Sequence, residues 1–213
     1  MKRETEQVVA VLLIIGIIIA GTTLLLIRYR LAGITGFAVN PNATVTLTVQ
    51  DTASLTFLDS SISWGTVAVN VSKTNTCILT TTPGYTTDSC TDGAGGSVTP
   101  ETSGLAIEND GNTNLTVTLI SNVTGSQFIG SNAVFEWNVT NIEVGSCLNA
   151  TGDAVAPNTT TFESVTTTEK VICYRLRYID ASDSLNISIN LTIPYDAPTG
   201  AKAAKLTATG TTV

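Results

Sequence analysis

The sequence predicts an all-β protein: a single antiparallel β-sandwich standing behind one N-terminal transmembrane helix. Three observations predict it. Residues 8–27 form an unbroken uncharged apolar run. Beyond them, apolar and hydroxyl residues alternate with a period of two, the signature of half-buried strands. Turn residues separate the alternating stretches, and no helical periodicity competes with them.

The apolar run, VVAVLLIIGIIIAGTTLLLI, is twenty residues long. At ~1.5 Å per residue it spans a hydrocarbon core of about 30 Å. A cleaved signal peptide has a core of only about 7–15 apolar residues, and a buried helix in a soluble core carries a polar face. An uncleaved signal-anchor is therefore expected. Residues 1–7 form a short cytoplasmic tail and 28–43 a juxtamembrane linker. Residues 44–213 form an extracellular domain, so the chain is expected to be a single-pass cell-membrane protein. Lys2 and Arg3 precede the run and Arg28, Tyr29 and Arg30 follow it, so the basic residues anchor it without orienting it. Gly16 and Ala20 make a small-xxx-small pair, a candidate helix-packing contact within the span.

Orientation comes from the domain itself. Asn-X-Ser/Thr triplets begin at Asn42, Asn70, Asn114, Asn122, Asn138, Asn149, Asn158, Asn186 and Asn190, nine of fifteen asparagines. With 54 Ser and Thr in 213 residues, chance supplies about four such motifs. The excess marks candidate glycosylation sites, although Thr alternating through strands contributes to it. Four cysteines, Cys77, Cys90, Cys147 and Cys173, lie in the same domain without a CxxC among them. They allow three disulfide connectivities, of which proximity favours Cys77–Cys90 and Cys147–Cys173. Loops of that size contribute about 3 kcal/mol per bridge on the loop-entropy account. Disulfides persist in oxidising compartments.

The strands follow in order. Val45, Leu47 and Val49 alternate with threonines, 54–58 continue the pattern, and 62–69 form a third strand whose Gly65 suggests a bulge. A loop-rich insert occupies about 78–103. Strands at 105–108 and 115–120 flank Asn109-Asp110-Gly111-Asn112, which reads as a hairpin turn because Asp-Gly tolerates positive φ. Ala133, Phe135, Trp137 and Val139 face one way; Ile172, Tyr174, Leu176 and Tyr178 form another such face. The clearest alternation sets Leu185, Ile187, Ile189, Leu191 and Ile193 against Asn186, Ser188, Asn190 and Thr192. Pro194 to Gly200 turns the chain, and 202–209 closes the domain. One-sided alternation needs a second sheet to cover it, hence a sandwich.

Composition excludes several functions. Residues 31–213 carry six Lys/Arg and fifteen Asp/Glu, a net charge of −9, which argues against a nucleic-acid partner. No histidine is present, so Ser–His and Cys–His nucleophiles and Cys/His zinc sites cannot be built. Nothing places Lys73, Lys170, Lys202 or Lys205 beside a distinctive serine. Of Glu101, Glu108, Glu136, Glu143, Glu163 and Glu169, only Glu136 lies well within an expected strand, where it faces solvent. The stretch 108–114 is rich in the oxygen ligands of a calcium loop, but Ala106 and Val117 occupy ligand positions of an EF-type pattern. A turn is the better expectation there, as it is for Asp180-Ala181-Ser182-Asp183. No enzyme, cofactor or metal is expected.

The stretches GLAIENDGNTNLTVTL (104–119) and LNISINLTIPYDAPTG (185–200) resemble immunoglobulin-like modules of cell-surface proteins. With the anchor and ITGFAV at 34–39, the chain resembles Thr/Asn-rich, membrane-anchored surface proteins of archaea. That resemblance implies a role in adhesion, binding or envelope structure, with a surface polymer, a protein or neighbouring subunits as partners. The segment QVVAVLLIIG (7–16) is also similar to the N-terminal helix of archaeal pilins, implying a filament subunit with a β-sandwich head. The chain departs from the pilin pattern, since no Gly or Ala follows the basic residues ahead of the run. An accessory or substrate-binding module of a surface enzyme is a third expectation.

Overall fold

The computed structural model describes Ala20, Thr22, residues 47–83 and residues 89–213. Of the run at 8–27, only Ala20 and Thr22 are described, both helical and exposed. Gly16, the linker at 28–43 and Asn42 lie outside the described residues. Among those described, no helix is long and apolar enough to cross a membrane.

The regular secondary structure of the compact unit Val49–Val213 is almost wholly strand. In chain order these are β1 (Thr56–Asp59), β2 (Ala68–Val69), β3 (Thr76–Thr80), β4 (Cys90–Thr91), β5 (Leu105–Glu108) and β6 (Leu115–Ser121). A single helical turn, α1 (Gly125–Phe128), precedes β7 (Val134–Asn141), β8 (Cys147–Leu148), β9 (Glu163–Ser164), β10 (Lys170–Leu176), β11 (Ser184–Pro194) and β12 (Leu206–Thr212). One sheet runs β1-β5-β11-β7-β9 and the other β12-β6-β10-β8, with β2 and β4 forming a separate ribbon. Every pairing is antiparallel.

The eleven-residue β11 organises the first sheet. Along one edge it pairs with β7 from Leu185 to Thr192. Along the other it meets β5 at Ser184–Ile187 and β3 at Asn190–Pro194. Thr81 fills the gap between those two partners. Its N–H donates to the Ile189 carbonyl at 3.0 Å, and its Oγ1 accepts the Ile189 N–H at 2.9 Å. The ladder is thus completed by a side chain, as buried backbone groups require.

Alternation decides which faces meet. Leu115, Val117 and Leu119 of β6, Trp137 and Val139 of β7, and Leu185 and Ile187 of β11 are all fully buried. Apolar side chains from both sheets belong to one core cluster, so the two sheets pack face to face as a β-sandwich. Each buried aliphatic contributes roughly 1.5–3 kcal/mol before the entropy of ordering is subtracted. Trp137 keeps its indole N–H satisfied by donating to Glu163 Oε1 at 3.2 Å. The other Glu163 oxygen pairs with Lys170, which ties β9 of one sheet to β10 of the other.

Several expected elements differ. The described part of the first expected strand, 47–49, is not a strand, and Leu47 and Val49 are 81% and 70% exposed. No sheet edge receives it; alternation without a partner strand makes no ladder. The strand expected over 62–69 shrinks to Ala68–Val69, and Gly65 sits at φ 64° outside any strand. The strand expected over 202–209 starts at Leu206 and runs on to Thr212. The insert expected from about 78 begins inside β3, a sandwich strand. In β10, Ile172 and Cys173 are both fully buried whereas Tyr174, and Tyr178 beyond the strand's end, are each 45% exposed. Register shifts on either side of Cys173 break the period of two there.

The largest correction concerns 109–112. β5 belongs to the first sheet and β6 to the second, so the segment is a crossover between sheets and not a hairpin turn. Gly111 is not at positive φ. It is required because a Cβ there would collide with the Thr52 carbonyl oxygen. Asn112 holds the same segment, donating from its N–H to Thr52 O at 3.1 Å and from Nδ2 to Gln50 O at 2.9 Å.

Candidate functional site

The crossover gathers strand ends at one end of the sandwich. The C-terminal ends of β5, β7 and β10 meet the first residues of β6 and β11 there. Asn109, 1% exposed, is the hub. Its Nδ2 donates to the carbonyls of Thr113, Arg177 and Leu176 at 2.9, 3.0 and 3.2 Å. Its Oδ1 accepts the Gly111 N–H at 3.2 Å. One buried carboxamide therefore ties the end of the first sheet to the end of β10 in the second.

Beside it lie four carboxylates. Glu108, the last residue of β5, is fixed by its ladder positions opposite Thr56 of β1 and Ser184 of β11. Asp180 and Asp183 come from the turn between β10 and β11, which closes with the Ser182 N–H donating to Ile179 O at 2.6 Å. Glu108, Asp180 and Asp183 each bring a carboxylate oxygen within 4.8 Å of the others. Glu143, after β7, accepts the Asp183 N–H through Oε2 at 2.9 Å, and Asp183 O accepts the Asn109 N–H at 3.1 Å. Asp183 is thus held by both of its backbone groups.

Its side chain is treated differently. Asp183 is 3% exposed, and its Oδ1 is buried with no hydrogen-bond partner. Burial foremost, then the charges of Glu108, Glu143 and Asp180, push its carboxyl pKa up to about 6. Among the described residues, no Lys or Arg forms an ion pair with any of the four. All available donors are oxygens. The chain has no histidine, and its four cysteines are bonded to one another. Such a set suits hard cations over zinc or copper. It suits acid–base chemistry on a large substrate poorly, because Asp183 presents almost no surface to one.

The residues singled out from the sequence are dispersed. Cys77 is joined to Cys90 and Cys147 to Cys173, the pairing proximity favours, with all four sulfurs in the core. The first bridge links β3 to β4; the second crosslinks neighbouring strands β8 and β10. Among the sequons, Asn122 and Asn158 are exposed, and Asn70, Asn114, Asn138, Asn149, Asn186 and Asn190 are half-buried. A glycan is carried on Nδ2. That atom donates to Glu136 Oε2 in Asn190, to Ser188 Oγ in Asn186 and to Asp153 Oδ2 in Asn149. The Oδ1 of Asn138 is buried without a partner. The two sequons of β11 therefore sit in a side-chain network on the central strand, not on a bare outer face. Glu136, expected to face solvent, is half-buried as part of that network.

The acidic cluster itself was not legible. Asp180–Asp183 reads as a turn, and is one, while Glu108 opened a loop weighed for calcium by itself. Their meeting depends on the pairing of Glu108 with Ser184, which no local pattern states. Comparison with protein-family models, with curated proteins and with solved structures finds no match to this chain.

Proposed function

We propose that this chain is a non-enzymatic cell-surface protein. Residues 8–27 anchor it in the membrane, and an immunoglobulin-like β-sandwich outside the cell serves adhesion, binding or envelope structure. The observation that carries this reading is the pair of buried disulfides on a sandwich already supplied with an apolar core. Such crosslinks form and persist in oxidising compartments, and an uncharged run of twenty residues ahead of the domain supplies export and anchorage together. The sequons are consistent with that side of the membrane.

The test is the intact mass of the protein from native membranes, with peptide mapping of its N-terminus. The proposal expects residues 8–27 to be retained behind the native basic end, with added glycan mass. A cut just before the run would replace it with the filament-subunit reading. A cut after the run would make the domain a released one.

A further inference from the structure

We propose that Glu108, Asp180 and Asp183 form a calcium-class divalent-cation site at the end of the sandwich where β5, β10 and β11 meet. Two independent observations carry it. Three carboxylate oxygens from two separate chain segments converge within 4.8 Å. Separately, the most buried of the three side chains, Asp183 at 3% exposed, keeps its Oδ1 sealed from solvent with no donor. Native proteins rarely leave a buried polar atom unpaired, and an anionic one least of all.

The geometry fits a calcium ion. Ca²⁺ takes oxygen ligands at about 2.3–2.6 Å, so two ligands on opposite sides of one ion stand about 4.6–5.2 Å apart. Separations of up to 4.8 Å fall within that reach. Mg²⁺ demands a near-ideal octahedron at about 2.0–2.1 Å and sheds its water reluctantly, so carboxylates gathered from a strand end and a turn suit Ca²⁺ better. The absence of histidine from the chain and of free cysteines removes the nitrogen and sulfur donors that transition metals prefer.

The frame is fixed where it must be and open where ligand water must enter. Glu108 is set by ladder partners on both sides. Asp183 is held through its N–H by Glu143 and through its carbonyl by Asn109. Asp180 is exposed, which leaves one side of the cluster to solvent and to water ligands. Bridging by the ion would fasten the β10–β11 turn to the end of β5, adding to the Asn109 contacts with Arg177 O and Asp183 O. The site is independent of how the chain is anchored, so its failure would leave the surface-protein proposal standing.

The test uses the full chain in detergent, stripped with a chelator, titrated calorimetrically with CaCl2 and then with MgCl2 at pH 7.5. One saturable Ca²⁺ site is expected, with Kd of about 0.1–1 mM as in other partly open extracellular sites, and at least tenfold weaker Mg²⁺ binding. Asp180 is exposed, so Asp180→Asn is expected to keep the fold. It should weaken Ca²⁺ at least tenfold, with an unchanged circular dichroism spectrum, and should clearly reduce the rise in Tm produced by 5 mM Ca²⁺. Asp183→Asn should do the same, and Asp153→Asn, on a separate loop, should change neither. Absence of saturable binding at 10 mM Ca²⁺ would overturn the proposal, as would binding that survives Asp180→Asn. Mg²⁺ binding as tight as Ca²⁺ would overturn the calcium assignment.

Discussion

Replacing Asn109 with alanine removes the carboxamide through which the two sheets are tied at one end. Its Nδ2 has two protons for three carbonyls, those of Thr113, Arg177 and Leu176, and its Oδ1 takes one more proton from Gly111. Counting two full donations and one acceptance, at a net ~0.5–1.5 kcal/mol each, gives a loss of about 1.5–4.5 kcal/mol. Burial at 1% exposed favours the upper half, because the abandoned carbonyls gain little water. A domain of this size loses about 2–4 °C in Tm per kcal/mol, so a loss of about 3–4.5 kcal/mol means a fall of about 6–18 °C. Urea unfolding of the full chain in detergent, followed by the fluorescence of the fully buried Trp137, should show the midpoint fall at unchanged slope. The control Val144→Ala, at a position 97% exposed, should stay within about 0.5 kcal/mol. A loss below about 1 kcal/mol for Asn109→Ala, or an equal loss for both variants, would refute the assignment of Asn109 as the tie.

Gly111→Ala tests the close approach of the crossover to Thr52. Since Gly111 lies outside the positive-φ region, its cost is steric, and about 1–3 kcal/mol is expected in the same unfolding assay. Breaking Cys147–Cys173, with a sequence separation of 26, should cost about 3.5 kcal/mol on the loop-entropy account, and Cys77–Cys90 about 3 kcal/mol. Paired Cys→Ala variants measured by denaturant unfolding check both figures. Asp183 should make the chelated protein less stable as pH rises. Its folded pKa of about 6 lies above the ordinary 3.8, so the unfolded chain releases this proton first. The cost is absent below about pH 4 and complete above about pH 6, reaching about 3 kcal/mol. Asp183→Asn should remove that part of the stability–pH profile between pH 4 and 7.5; an unchanged difference between wild type and variant across that range would contradict it.

What the sequence revealed was what a single strand can state about itself. β6, β7 and β11 each run for seven residues or more with one apolar face, so the period of two survives small errors and the sandwich follows. Elements whose formation depends on a neighbour were missed. β3 alternates only through Cys77 and Leu79, and takes its strand form from the far half of β11. β8 and β9 are two residues each, too short to carry a period. In β10 the register shifts around Cys173 hide the true facing of Tyr174. The Asp-Gly signal at 110–111 located a turn correctly in sequence and wrongly in space. A tight turn between strands of one sheet and a crossover between sheets use the same residue types, and only the edges left open elsewhere decide between them. The pairing of β5 with β1 and β11 leaves β6 no place in the first sheet.

That crossover also explains why two buried polar side chains lie next to each other with opposite fates. Bringing strand ends together at one end of a sandwich leaves backbone carbonyls without ladder partners, and a neutral carboxamide can satisfy them. Asn109 does so through Nδ2, while its Oδ1 accepts the Gly111 N–H. Its requirements and its surroundings match, which is the mark of a group serving the fold. Asp183, linked to it through one backbone hydrogen bond, has an acceptor that meets nothing and three further carboxylates that raise the cost of its charge. An asparagine in its place would carry no such cost and would leave the turn intact. A buried anion that weakens the fold it sits in, while its backbone is held rigidly by Glu143 and Asn109, is better placed to hold a ligand than to hold the fold. The cation supplies the missing partner and cancels the repulsion in one step, so the group least suited to the fold alone becomes its strongest local tie once the ion is bound.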